Sequence, residues 1–288
     1  MKTYFKYKND IQGFEDVSGT IKATEKIASA SIHSLKLEVG QLNDYMSELE
    51  RMLSRVSEFY FNAKEPLFEK RNSGGKAMIL ITGDKGLVGG MYHNLANFLI
   101  DKINNEDIII TIGKKGRKYL EEEGVVVDRS FFDMSGAPSE ESVSSITDYV
   151  FKIFETRNIA QVDIIYPRFI ALSAQEPTSL TFLPFEFKDE LGTDGKIIDI
   201  EVEPGFPIFE QAKKEISADL VKKYISLFFH RIMLESKLSE YSARMVAMEN
   251  ASVKTEELIK KLSLRYFKAK KKFITKTQIE SFIVHKII

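Results

Sequence analysis

The stretch LESKLSEYSARMVAMENASVKTEELIKKLSLRYFKAKKKF, residues 234–273, decides the architecture of this chain. Apolar or small residues recur at Leu234, Leu238, Tyr241, Met245, Met248, Ser252, Thr255, Ile259, Leu262, Tyr266, Ala269 and Phe273, alternately four and three residues apart. That alternation is the seam of a coiled coil, with a small polar patch at Ser252 and Thr255. Neither Gly nor Pro occurs after Pro207. A single helix over most of that stretch spans on the order of 100 Å, too long to fold inside a compact domain.

The same alternation runs near the other end, through Ile32, Leu35, Val39, Leu42, Met46, Leu49, Leu53, Val56 and Tyr60, and stops near Pro66. Gly40 interrupts it at a cost of about 1 kcal/mol against alanine, which leaves helix the favoured state. Two seams at opposite ends of one chain meet most simply as an antiparallel pair, because the intervening residues can return the chain. Ordinary packing of each helix on its own domain is the competing reading.

Between the seams the pattern alternates. Apolar runs at 77–82, 107–112, 125–127, 162–166 and 179–184 predict strands, and helical spacing marks 87–103, 115–123 and 142–157. Strand and helix in turn predict a Rossmann-like α/β layer with a mainly parallel sheet. The segment 189–205, rich in Gly and Asp, predicts a loop or hairpin back to the last helix. The expected division is an N-terminal coiled-coil helix over 1–66, an inserted α/β domain over 75–205 and a C-terminal coiled-coil helix over 208–288.

Composition narrows the chemistry. Of 288 residues, 29% are charged, yet the net charge is -1, which argues against a nucleic-acid-binding or membrane-surface protein on bulk charge. The C-terminal part is the basic one: residues 209–288 hold 17 Lys and Arg against 9 Asp and Glu, and residues 1–70 hold 10 against 11. With no cysteine, disulfides, thiolate metal sites and cysteine nucleophiles are all excluded. His33, His93, His230 and His285 lie far apart and read as packing or surface residues, so no metal and no cofactor is expected. No apolar run is long enough to span a bilayer, and the N-terminus lacks a signal-peptide core, so the chain reads as a cytoplasmic protein that reaches a membrane only through partners.

One segment looks enzymatic. Thr82-Gly-Asp-Lys-Gly-Leu-Val-Gly-Gly90 follows a strand and precedes a helix, a place where backbone N–H groups can cradle a phosphate. It fits neither the P-loop nor the dinucleotide spacing. The alternative reading makes Gly83, Asp84, Gly86, Gly89 and Gly90 a structural turn that permits close helix-to-sheet packing. Lys114, Lys115, Arg117 and Lys118 form a basic cluster best read as a solvated face. Lys268, Lys270, Lys271 and Lys272 lie beside the seam, either in solvent or facing an acidic partner. The apolar terminus Phe282-Ile-Val-His-Lys-Ile-Ile288 is expected to be buried in a partner.

The stretch Glu235-Ser-Lys-Leu-Ser-Glu-Tyr-Ser-Ala-Arg-Met-Val-Ala-Met-Glu-Asn-Ala251 resembles the signature of the gamma subunit of F-type ATP synthases, Ser-Glu-x-x-Ala-Arg-Met-x-Ala-Met-x-x-Ala. The turn Gly83-Asp-Lys-Gly-Leu-Val-Gly-Gly90 is similar to that family's Asp-Arg-Gly-Leu-Cys-Gly-Gly. Gly113-Lys-Lys-Gly116, Gln175-Glu-Pro177 and Leu183-Pro184 are similar to further family segments. This resemblance implies a non-catalytic rotor subunit, its coiled coil standing inside a ring of alternating alpha and beta subunits. The α/β domain would sit at the foot, with the epsilon subunit and the membrane c-ring. Rotation driven by proton flow would couple to ATP synthesis or hydrolysis at the beta subunits, on the cytoplasmic face of the cell membrane.

The resemblance also implies partner contacts. Arg244 matches the family arginine that touches a beta-subunit loop, and Ile274 and Thr275 match its Ile-Thr pair near the tip. Lys271 stands where the family has glutamine. Near the N-terminus Thr20, Lys22 and Thr24 match, but the family's Lys-Ala-Met is absent. Two other readings stay open beside the rotor: a gamma-like shaft of a rotary ATPase with another output, and, from a different class, a phosphate-binding α/β enzyme with a helical arm. A static coiled-coil scaffold is a further possibility.

Overall fold

The computed structural model describes residues 3–60, 66–71, 74–104, 106–133, 136–157, 159–186 and 213–287. The expected loop over 189–205 lies outside the described residues, as do the side chains of Val56, Tyr60 and the chain end after Ile283. The helices are α1 Thr3–Tyr60, α2 Met91–Ile100, α3 Lys114–Glu122, α4 Glu140–Thr156 and α5 Lys213–Ile287. The strands are β1 Gly75–Ile81, β2 Ile108–Ile112, β3 Arg129–Phe131, β4 Ile159–Ala171 and β5 Ala174–Leu183. Contacts divide the chain into two units, residues 31–243 and residues 1–30 with 244–288.

The unit over residues 31–243 is built on one sheet of order β3-β2-β1-β4-β5. β1 pairs in parallel with β2 and with β4, β2 in parallel with β3, and β4 antiparallel with β5. Ala77 to Ile81 are all buried, as expected of a central strand covered on both faces. On one face Met78, Leu80, Ile109 and Ile165 meet Tyr92, Leu95 and Leu99 of α2 and Leu120 of α3. On the other, Ile79, Ile81, Ile110, Ile112 and Ile164 meet Val143, Ile146, Val150 and Phe154 of α4 and the stretch Val221 to Met233 of α5. Met46, Leu49 and Leu53 of α1 join this second core. Here α1 and α5 run side by side, and the Tyr224 hydroxyl donates to the Glu50 carboxylate.

β4 and β5 run longer than the expected 162–166 and 179–184, and two further departures have a local cause. The third strand is Arg129–Phe131, not 125–127, because Gly124 at φ +76° turns the chain after α3 and Val125 N–H returns to the Leu120 carbonyl at 2.9 Å. That closure leaves Val126 81% exposed, so the ladder starts later. Helix α2 begins at Met91 because Leu87 at φ +66° and Gly89 at φ +61° are left-handed. Helix α4 starts as its sequence dictates: Ser142 N–H donates to the Ser139 hydroxyl at 3.3 Å, with Glu140 and Glu141 in the first turn.

The second unit consists of the first part of α1 and the last part of α5. These run antiparallel: Tyr4 packs on Phe273 at a centroid distance of 5.3 Å, and Lys22 Nζ lies 2.9 Å from Glu256 Oε1. Along α5, Met248 and Thr255 are buried, and Ser252, Ile259, Leu262, Tyr266, Ala269 and Phe273 are half-buried. Every position of the expected seam in this unit is thus turned inward. The polar patch is accommodated because the Thr255 hydroxyl donates to the Ala251 carbonyl at 2.7 Å. Among the described residues no helix is long and apolar enough to cross a membrane.

Candidate functional site

The glycine-rich turn after β1 is where an open α/β sheet ordinarily holds a ligand, at the carboxyl ends of the strands where the strand order reverses. β1 has β2 on one side and β4 on the other, so its end is that place. The neighbouring strand end sends its helix donors into this turn. Lys114 N–H donates to Asp84 Oδ1 at 3.0 Å, Lys115 N–H to the Gly83 carbonyl at 3.1 Å, and Gly116 N–H to the Thr82 hydroxyl at 2.9 Å. Thr82, itself buried, donates on to the Ile112 carbonyl at 2.8 Å. The first-turn N–H groups of α3 are therefore satisfied by the turn preceding α2.

The crevice beside the turn is filled as well. A Cβ on Gly83 would collide with the Tyr92 hydroxyl and lie 2.6 Å from Glu240 Oε2. Glu240 comes from α5 and is joined by Lys237 one turn earlier, with Nζ 2.7 Å from Oε2 and both side chains under a tenth exposed. A carboxylate of the chain itself thus stands against the start of the turn. Gly113, at φ +90°, and Gly116 are equally constrained: a Cβ would sit 2.5 Å from the Thr82 carbonyl oxygen and 2.7 Å from the Thr82 hydroxyl. Gly86 and Gly90 meet nothing closer than 3.5 Å, and Gly89 has open space but a left-handed backbone. Of the five turn residues expected from sequence, Gly83 is held by packing, Asp84 by its hydrogen bond and Gly89 by its backbone.

Sequence reasoning gave no site role to Lys237, Glu240 or Tyr92, and named Gly113 and Gly116 only as ends of a segment similar to the family's. An acid and a lysine three apart on a helix read as a surface pair, and only the fold reveals that this pair is buried.

The expected partner-contact residues lie apart. Arg244 is 6% exposed. Lys271, Ile274 and Thr275 are exposed further along α5, at a rise that puts about 40 Å between Arg244 and Lys271. Lys271 and Thr275 share a shallow groove with Lys268, Lys272, Lys276 and Ile279, whereas Lys270 turns onto the Tyr266 ring at 5.7 Å. The other basic cluster is locally balanced: Arg117 Nε is 2.6 Å from Glu121, Lys118 Nζ 3.6 Å from Glu122 and Lys114 Nζ 3.8 Å from Asp133.

Burial shifts the titration of half-buried Glu235 and of buried Tyr166 and His230 in the unit over 31–243. Burial lifts the Glu235 carboxyl above its usual range, although Phe169 N–H donates to it at 3.2 Å and Arg231 and Arg168 oppose the shift. Burial pushes the Tyr166 phenol up to about 12, with the Glu235 charge adding to it. His230 donates from Nε2 to the Pro138 carbonyl at 3.0 Å, and burial lowers its pKa. Among the described residues no three His, Asp or Glu side chains cluster as a metal site would require.

Comparison with known proteins gives a consistent result. A family model described as ATP synthase matches residues 4–280. The ATP synthase gamma chain of Staphylococcus haemolyticus is 27% identical over 277 residues, covering 91% of this chain and 94% of its own. That of Staphylococcus aureus strain JH9 is 26% identical over 260 residues, 88% of each chain. Among solved structures, a chain of the Euglena gracilis mitochondrial ATP synthase OSCP/F1/c-ring assembly is similar at a TM-score of 0.67 and 18% identity, covering 99% of this chain and 94% of that one. A chain of the same organism's ATP synthase rotor is similar at a TM-score of 0.63 and 19% identity, over 94% of this chain and 99% of that one. At these identities the structural likeness speaks for the fold.

Proposed function

Since this chain belongs to the ATP synthase gamma family, matched over residues 4–280, we propose that it is the central rotor shaft of an F-type ATP synthase. The observation that carries this reading is the seam: α5 is one helix from Lys213 to Ile287, and α1 runs antiparallel to it in each unit. A shaft needs that pairing, because one exposed helix has no tertiary packing to stiffen it.

The shaft works through unequal faces. Lys268, Lys271, Lys272 and Lys276 present positive charge, and Leu264, Phe267 and Ile274 present exposed apolar surface. A surrounding ring of alpha and beta subunits meets a different face of the shaft at each beta subunit. A conformational equilibrium shifts only by the difference in interaction energy between its states, so unequal faces hold the three catalytic sites in different states as the shaft turns. Arg244, Lys271, Ile274 and Thr275 are the contacts toward the beta subunits and the bearing. Gly83, Asp84, Gly86, Gly89 and Gly90 keep the structural turn. Residues 1–66 and 208–288 serve as shaft and 75–205 as the foot, which meets the epsilon subunit and the membrane c-ring.

In this reading the chain does no chemistry itself; proton flow turns the shaft, and ATP is made or hydrolysed at the beta subunits. It sits at the cytoplasmic face of the membrane through its partners, with no nucleic acid and no membrane insertion of its own. The turn's spacing, which fits neither phosphate-binding fingerprint, and the Glu240 carboxylate against Gly83 speak against the phosphate-binding enzyme.

Co-expression with alpha and beta subunits tests this. The expected outcome is a stable complex that hydrolyses ATP, and no ATP binding by the purified chain. Failure to co-purify, or ATP binding lost on changing Gly89 and Gly90 to bulky residues, would favour the enzyme. Truncation after Lys272 is expected to weaken assembly or torque, since it removes Ile274, Thr275 and the apolar end; unchanged values would count against those contacts.

A further inference from the structure

Strand β4 outruns the sheet. Its pairing with β1 ends at Ile165, opposite Leu80, yet it continues to Ala171 paired only with β5. At roughly 3.3 Å per residue, Phe169 lies about 13 Å past that last pair, on a two-stranded ribbon. Such a ribbon has a free edge where β1 would have been, and outward N–H groups there need partners. Pro167 faces Pro177 across the ribbon and neither has an N–H, so theirs is a non-hydrogen-bonded pair. The Phe169–Gln175 pair, two residues on, has the same parity, so the Phe169 N–H points out of the ribbon. It donates to Glu235 Oε1 of α5 at 3.2 Å.

The ribbon therefore bonds to the shaft helix itself. Arg168 of the ribbon and Arg231 of α5 both act on the Glu235 charge, which in turn acts on the buried Tyr166 phenol of β4. Helix α1 reaches the same strand end, with Lys36 Nζ 5.9 Å from the centre of the Phe169 ring. Phe169 is thus touched by both long helices at a point beyond the sheet. Glu235 and Lys36 also lie near the limits of this unit, at Ala243 and Ser31, so the ribbon meets each helix close to where it leaves. Over Val221 to Met233, by contrast, α5 meets its neighbours mainly through apolar side chains, whose attraction has no preferred direction. Turning α5 about its axis carries Glu235 off the Phe169 N–H, and a hydrogen bond weakens steeply once bent below about 120°.

We infer that the β4–β5 ribbon is the arm by which the α/β domain grips the shaft, with Glu235 as the positioning residue that sets the rotation of α5 against it. This rests on the rotor reading. Twist entering the sheet passes along the ribbon into α5, with Lys36 steadying α1 on the same residue.

Three variants test it. Glu235→Leu removes the acceptor, Glu235→Gln keeps an acceptor oxygen without the charge, and Lys36→Met removes the cation over the ring. Amide exchange of Phe169 in the full chain reads the bond directly. Glu235→Leu is expected to speed it by about tenfold or more, as loss of a hydrogen bond to a charged group would, and Glu235→Gln by less. Torsional stiffness reads the grip, in the full chain assembled with alpha and beta subunits. The chain has no cysteine, so Val126→Cys, at an exposed position of the α/β domain, can carry a bead. Stiffness is expected to fall through Glu235→Gln to Glu235→Leu, by about twofold at the last, while unloaded ATP hydrolysis, which needs no twist passed to the domain, holds. Lys36→Met, at an exposed site, is expected to show the smallest loss. Unchanged Phe169 exchange in Glu235→Leu, or faster exchange with wild-type stiffness, would overturn the inference and leave the rotor reading intact. Should Glu235→Leu fail to assemble, Glu235→Gln decides on the same terms. A wild-type assembly whose bead does not turn would instead remove the rotor reading, and the inference with it.

Discussion

The two units hold together by different means. In the unit of residues 1–30 and 244–288, α1 and α5 share a narrow line of half-buried side chains, with Tyr4 packed on Tyr266 and Phe273 near the end and an exposed ion pair at Lys22 and Glu256. In the unit of residues 31–243, a five-stranded sheet is covered on both faces and an ion pair is buried at its edge. A one-dimensional seam spreads its stability thinly along its length. A layered core concentrates stability in a few positions that admit no change.

The sharpest break should therefore come at the crevice. Gly113→Ala demands a left-handed backbone and places a methyl 2.5 Å from a backbone carbonyl, and Gly83→Ala meets Tyr92 and Glu240. Each is expected to lose about 3 kcal/mol or more in denaturant unfolding, against under about 0.5 for Gly86→Ala, which meets nothing closer than a flexible lysine. Equal losses for all three would show that the turn is not packed as described. Next, Phe154→Ala in the layered core should cost about 3–5 kcal/mol, and Ile259→Ala on the half-buried seam distinctly less. If the seam residue cost as much, the two units would not differ in kind.

A smaller effect separates the units by pH. His230 is held neutral by burial, so its folded pKa lies below the unfolded value and the unfolded chain binds the extra proton. Stability of the unit over 31–243 is then full above pH 6.5 and declines as pH falls through that value toward the lowered folded pKa. The hydrogen bond to the Pro138 carbonyl, then Glu38 and Glu140, oppose the shift, and Lys223 adds to it. His230→Gln should flatten the decline in melting temperature on acidification through the ordinary histidine range; an unchanged slope would assign it to other groups. The smallest effect is expected at Lys22→Met, because its ion pair with Glu256 is about half exposed on both sides and screened by water. A large loss there would mean the seam depends on charge after all.

The same contrast explains what could be read in advance. The seam from Leu234 to Phe273 was legible because helical period alone dictates which residues turn inward, and the strands at 77–82 and 107–112 because continuous apolar runs mark buried parallel strands. The third strand fell four residues later, since the reversal at Gly124 diverts Val125 and Val126 before the ladder forms. The glycine-rich turn was recognisable, but not its occupant. Lys237 and Glu240 are three residues apart on a helix, and nothing local distinguishes a buried pair of that spacing from a solvated one. The need for glycine at 113 and 116 also arises from residues some thirty positions away, at Thr82.

The most direct test of the shaft is rotation. With the assembled complex fixed through its beta subunits and a bead attached to the Val126→Cys variant at that position, ATP should drive stepwise turning in one direction, at a rate that follows ATP hydrolysis. A complex that hydrolyses ATP at its normal rate while the bead stays still would contradict the rotor and leave a static scaffold.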